Sequence, residues 1–259
     1  MRNCIYLFII FLFNFNNYTF AEEGFPLRSK FQEVKVLSKA NLKKRFDDLT
    51  IIDVRSKLEY DIMHIASAKH ISISRIDFEQ KLASFIKNRS TEIAFYCNGR
   101  TCGKSYHAAR RAQKIGYSIV YAYDAGIFDW VQAYPNKSVL LGESPVDSNK
   151  IISKKDFSSR LIDFDEFKKQ IAKKGSIVID IREPYQYDTR DRLVFKNINV
   201  KKYPTDLLKS MLKNSRFRDR QLLLFDNVGK QVRWLQYYLK QQNYNNYRFL
   251  KGGIKNNIK

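Results

Sequence analysis

Apolar residues recur along this chain in two rhythms. Short unbroken runs, Thr50-Ile51-Ile52-Asp53-Val54, Ile93-Ala94-Phe95-Tyr96 and Ser118 to Tyr123, predict strands buried on both faces. Glu33-Val34-Lys35-Val36 alternates and predicts a short strand, and Ala68 to Ile73 predicts another. Between them the spacing turns helical. Ser38 is placed to cap a helix running to Phe46, Arg55 to Met63 forms a short helix, Ile76 to Ile86 a longer one, and Ser105 to Ile115 one that Gly116 ends. Ala125 to Val131 reads as a turn and a short helix. Strands alternating with helices predict an α/β fold with a mainly parallel sheet and helices on both faces.

The pattern then stops and starts again. Leu141 to Ser153 is polar and carries Gly142, Ser144, Pro145 and Ser148, the composition of a linker. Beyond it, Ser176-Ile177-Val178-Ile179-Asp180-Ile181-Arg182 repeats the strand ending in Asp53 and Arg55, and Leu222 to Phe225 repeats Ile93 to Tyr96. Asp53 and Asp180, Tyr60 and Tyr187, and Gly126 and Gly253 share one offset of 127. Landmarks with a common offset predict a duplicated domain. The expected division is a leader over 1–21, a first domain over 30–140, a linker over 141–154 and a second domain over 155–259, each domain with a mainly parallel five-stranded sheet.

Charge and cysteine usage narrow the chemistry. The 259 residues are 44% apolar, ample for two cores, and carry a net charge of +21. Residues 22–148 hold 20 Lys and Arg against 15 Asp and Glu, while residues 149–259 hold 26 against 11. The basic second half suits an acidic protein or an anionic surface, with no specific nucleic acid expected. Met1-Arg2-Asn3, the apolar run Cys4 to Phe13 and the small residues around Thr19-Phe20-Ala21 match a secretory signal peptide, which predicts an exported protein, periplasmic or extracellular. Removing it takes Cys4 away and leaves Cys97 and Cys102. In an oxidising compartment these two either join in a disulfide or act as a reactive thiol and its resolving neighbour. His64, His70 and His107 form no metal-ligand pattern with them, and no cofactor or metal is implied.

Cys97 stands where a strand gives way to the loop Asn98-Gly99-Arg100-Thr101-Cys102-Gly103-Lys104-Ser105 and then a helix. The N–H groups of such a loop and of the helix's first turn point inward and favour a thiolate. Gly99 and Gly103 are expected to let the backbone curl, and Arg100 and Lys104 add positive charge. The second copy has Asp226 in place of Cys97 and two fewer residues before the matching Tyr244. A carboxylate there can fill the cradle from within, leaving an inactive copy.

Asp53-Val54-Arg55, then Glu59-Tyr60, His64-Ile65, Ala68 and Ile71, the Cys97 loop, and the late Gly126-Ile127-Phe128-Asp129-Trp130 with Ala133-Tyr134-Pro135 resemble the ordered signatures of the rhodanese family, over about residues 30–136 and more weakly over 155–259. Met63 departs from them, standing where the family usually has glycine. The resemblance implies a sulfurtransferase in which Cys97 is the nucleophile and carries a persulfide, Asn98 to Ser105 bind the anionic sulfur donor, and Asp53 and Arg55 brace the site. Glu59 is a partner for Arg55 one helical turn away. The donor resembles thiosulfate, and the acceptor is a thiol or cyanide. The alternatives are an extracytoplasmic thiol–disulfide protein and a non-catalytic rhodanese-like binding protein. A phosphatase is disfavoured, because Gly103 stands where the phosphate-clamping arginine belongs.

Overall fold

The unbroken apolar runs become the central strands of two parallel sheets. A computed structural model describes residues 24–188 and 194–257; the leader expected over 1–21 lies outside the described residues. In the first unit the elements are α1 (Lys39–Lys44), β1 (Thr50–Asp53), α2 (Lys57–Ile62), β2 (Met63–Ile65), β3 (Lys69–His70), α3 (Phe78–Phe85), β4 (Ile93–Tyr96), α4 (Lys104–Lys114), β5 (Val120–Tyr123), α5 (Gly126–Ala133) and β6 (Ser138–Leu140). The second unit has α6 (Lys154–Ser158), β7 (Leu161–Ile162), α7 (Phe164–Ile171), β8 (Ser176–Asp180), β9 (Val200–Lys202), α8 (Thr205–Lys213), β10 (Gln221–Phe225), α9 (Gln231–Gln241) and β11 (Tyr247–Leu250).

The first sheet runs β3-β1-β4-β5 and the second β7-β11-β10-β8-β9, with every pairing parallel. Both are α/β sheets flanked by helices. The second has the five strands expected, but the first has four. Its fifth position shrinks to a single parallel bridge from Val36 to Ala122. The reason is local: immediately after that bridge Ser38 accepts a hydrogen bond from the Asn41 N–H and starts α1, so the strand has no room to continue. Sequence pattern also misses a two-stranded antiparallel ribbon, β2 with β6. Arg55 to Met63 is not one helix: Ser56 and Glu59 form a capping box that starts α2 at Lys57, and Met63 leaves it with extended backbone at φ −150°. Met63 therefore needs no glycine-like conformation. The polar stretch after β6 is tied down, since Val146 and Ile152 are buried and the Ile152 N–H donates to the Tyr237 hydroxyl.

The two units meet along α2 and α9. Lys209 pairs with Asp61 at 2.7 Å, Phe128 stacks on Trp234 with ring centres 5.1 Å apart, and Ser56 exchanges hydrogen bonds with the Gln231 side chain. The carboxyl ends of the central strands, β1 and β4 in one unit and β8 and β10 in the other, carry the residues described next.

Candidate active site

The cysteine loop hangs from the buried end of β4 and is shaped by two glycines. Gly99 sits at φ +152°, and its carbonyl accepts the Cys102 N–H at 2.8 Å, which folds the loop back on itself. Gly126, at φ +74°, passes so close beneath that a Cβ there would lie 2.5 Å from the Asn98 carbonyl carbon and the Gly99 Cα. The next residue, Ile127, donates its N–H to the Cys97 carbonyl at 3.0 Å. Gly103 differs from the expectation: its backbone is ordinary right-handed helix, and a Cβ would meet its neighbours at 3.5 Å or more. Its place at the helix start requires no glycine.

Cys97 is fully buried and Cys102 half-buried, and both are free thiols. The Cys97 thiol donates to the Cys102 carbonyl at 3.0 Å and lies 3.7 Å from the buried Ser105 hydroxyl. Burial pushes the Cys97 thiol well above its ordinary value, and the neighbouring Cys102 sulfur adds to this, more than the Ser105 N–H and hydroxyl offset. Cys102 shows the opposite behaviour. The hydrogen bond from Cys97 lowers it most; burial opposes, and the Lys104 and Asn98 N–H groups and the Lys104 charge lower it further, to about 6. The amides anticipated around Cys97 alone divide between the two sulfurs: the Ser105 N–H favours an anion on Cys97, and the Lys104 and Asn98 N–H groups favour one on Cys102.

The remaining site residues divide by direction. Asn98 faces inward: its amide donates to Glu59 at 2.6 Å and its oxygen accepts from Arg55 at 3.2 Å. Arg55 is wholly buried, forks onto Asp53 at 2.5–3.1 Å and donates to the Met63 carbonyl at 2.5 Å. Glu59 therefore reaches Arg55 through Asn98 as well as through its charge. Burial works against the Glu59 carboxylate, but the Arg55 and Lys104 charges and the Asn98 hydrogen bond hold it below its usual value. Arg100 and Thr101 face outward, and the Arg100 guanidinium lies over the Phe25 ring at 4.6 Å, away from the cysteines. His64 and His70 pack at the edge, hydrogen-bonded to the Tyr60 and Arg55 carbonyls. His107 is exposed beside Phe31.

Three contributors go unseen in the sequence. Trp234, from the second unit, covers Arg55 with its ring 4.9 Å from the guanidinium carbon. Gln231 reaches Ser56 and Glu59. The segment before Phe31 lies along the loop, with Arg28 forked onto buried Asp124, which also accepts the Tyr106 hydroxyl at 2.5 Å. Long-range contacts such as these leave no periodic signal. Only the acidic residue just ahead of Ala125-Gly126 hints at one of them.

The second unit repeats the frame and fills it. Asp180 and Arg182 form the same buried fork, and Gly253, at φ +68°, presses against Asn227 and Val228 as Gly126 does against Asn98 and Gly99. The helix after the loop begins five residues past Asp226 rather than seven, as past Cys97. One Asp226 oxygen accepts the Val228 N–H at 2.9 Å and the Gly229 N–H; the other accepts the Gln231 N–H and the Val232 N–H at 3.0 Å. Burial holds this carboxyl above its usual value, and the four amides offset part of the shift.

A family model described as the rhodanese-like domain matches the chain twice, over residues 38–133 and 163–257. No curated protein sequence matches it. Among solved structures, a rhodanese-related protein from Thermoplasma volcanium is 24% identical over 38% of this chain and 92% of its own, with a TM-score of 0.33. The thiosulfate sulfurtransferase of Pseudomonas aeruginosa is 17% identical over 88% of this chain and 45% of its own, with a TM-score of 0.39. A polysulfide-sulfur transferase homodimer from Wolinella succinogenes is 21% identical over 42% and 80%, with a TM-score of 0.34.

Proposed function

As the chain belongs to the rhodanese-like domain family, in two consecutive copies, we propose that it transfers sulfane sulfur from a small anionic donor such as thiosulfate to a thiophilic acceptor, a thiol or cyanide, through a persulfide on Cys97. The observation that carries this reading is the Cys97 thiol at the end of β4 within the matched domain, enclosed by the loop between the Cys102 carbonyl at 3.0 Å and the Ser105 hydroxyl at 3.7 Å. Cys102, whose carbonyl the Cys97 thiol already touches, takes the Cys97 proton on its own sulfur and becomes neutral. The Cys97 thiolate attacks the outer sulfur of thiosulfate, the sulfur–sulfur bond to sulfite breaks, and sulfite leaves with the electron pair. The terminal sulfur anion left on Cys97 is then stabilised by the loop amides.

Attack by cyanide on that outer sulfur releases thiocyanate and returns the pair to its starting state. Asp53, Arg55, Glu59 and Asn98 position the loop. The second copy is read as inactive, its cradle occupied by Asp226. The leader-like first 21 residues support an exported site, and the basic second half supports docking on an acidic partner. Thiocyanate formation from thiosulfate and cyanide tests the reading. The full chain is expected to produce it and Cys97→Ser is not. No thiocyanate from either thiosulfate or inorganic polysulfide defeats it.

A further inference from the structure

A persulfide carrier needs one cysteine, and this loop holds two, with the Cys97 thiol 3.0 Å from the Cys102 carbonyl. Two features set the second apart from a packing residue. It is the more exposed of the pair, and the turn from the Cys102 N–H to the Gly99 carbonyl folds the loop back so that Cys102 packs on the same apolar cluster as Cys97. The loop is also two residues longer than its twin, and Cys102 lies in that longer loop. A merely structural filler is already available in this fold, a carboxylate, as Asp226 shows. A thiol in the equivalent role brings chemistry that the carboxylate lacks.

We propose that Cys102 resolves the persulfide on Cys97, so that the site releases sulfane sulfur as hydrosulfide and is left as a Cys97–Cys102 disulfide. This rests on the sulfur-transfer reading above. The Cys102 sulfur bonds to the inner sulfur on Cys97, the bond from that sulfur to the outer one breaks, and the outer sulfur leaves with the electron pair and the Cys102 proton as HS⁻. The sulfane sulfur gains two electrons and the two thiols lose them, so a single round needs no other reagent. Repeated rounds need an external dithiol to reopen the disulfide. In this reading the acceptor is inside the protein, and the product handed on is sulfide rather than a sulfane sulfur.

The test is anaerobic. Fully reduced full-length protein, freed of reductant, receives thiosulfate and is quenched in acid for intact mass, sulfide and sulfite. The wild type is expected to lose about 2 Da and release about one sulfide and one sulfite per chain, the stoichiometry of one persulfide resolved to one disulfide. Cys102→Ser, treated at alkaline pH where its Cys97 ionises, is expected to gain about 32 Da and release sulfite without sulfide, the persulfide being stranded. A wild type that keeps the added sulfur and releases no sulfide, like the variant, overturns the inference and leaves sulfur transfer intact. If neither protein gains sulfur or releases sulfite, from thiosulfate or from polysulfide, the transfer reading falls and the inference with it.

Discussion

Replacing Asp226 by asparagine keeps its shape and removes one acceptor. Four buried N–H groups share its two oxygens, Val228 and Gly229 on one, Gln231 and Val232 on the other. Asparagine offers oxygen to one pair and turns its own N–H donors toward the other. Two buried amides then lack acceptors, at about 1–3 kcal/mol each, or about 4 kcal/mol together. A domain near 100 residues shifts its midpoint by about 4–8 °C per kcal/mol, so a fall of about 16–32 °C is expected by differential scanning calorimetry of the full chain. Asp226→Ala makes room for a substitute anion. Sulfate is expected to raise its midpoint while leaving the wild type and Asp226→Asn where they are, because an anion bound only by the folded state stabilises it. If Asp226→Asn melts within about 1 kcal/mol of the wild type, the amides are not depending on the carboxylate and the filled-cradle account is wrong.

Alkylation of the reduced wild type is expected to label one thiol quickly, with a pH midpoint near the value of about 6 that Cys102 takes. In Cys102→Ser the remaining, buried Cys97 is expected to react only at alkaline pH. Because the folded value of Cys102 lies below that of a free thiol, its stabilisation is full above the free-thiol value and is lost as pH falls through about 6. The wild type's advantage over Cys102→Ser in urea should therefore shrink on acidification, and a constant gap from pH 5 to 9 counts against that value. Gly126→Ala drives a Cβ into Asn98 and Gly99 at a positive φ, at an expected cost of about 3 kcal/mol and with slower thiol labelling; normal labelling refutes the close approach as a shaping device. Trp234→Ala uncovers Arg55 and Phe128 and should cost about 3–5 kcal/mol in denaturant titrations. A loss under 1 kcal/mol would mean the indole is not packed as described.

Much of this fold is legible from local pattern. Ile51 and Ile52 in β1 and all of β4 are buried because helices cover both faces, and that is what makes parallel strands readable in one dimension. The 127-residue offset exposes the duplication, and Asp226 within it points to an anion among amides, since a loop, two residues shorter, and a helix start recur behind it. Illegible were the features settled by competition. Val36 has strand character, but Ser38 claims the backbone for a helix two residues later. How the amides divide between the cysteines depends on one turn, the Cys102 N–H on the Gly99 carbonyl, and residue types alone do not choose between two thiols five positions apart. Arg100 looked like a ligand by charge, yet the Phe25 face draws it outward.

Trp234 gives the tandem arrangement a physical meaning. Its indole forms part of the wall around the ionic fork beneath the cysteines, so the seam between the copies runs through the catalytic neighbourhood instead of beside it. A fragment cut near residue 150 would open that wall and bare a guanidinium that nothing else shields from that side. The second copy is thus a structural wall of the first copy's buried fork, and the two copies pack as one unit around it.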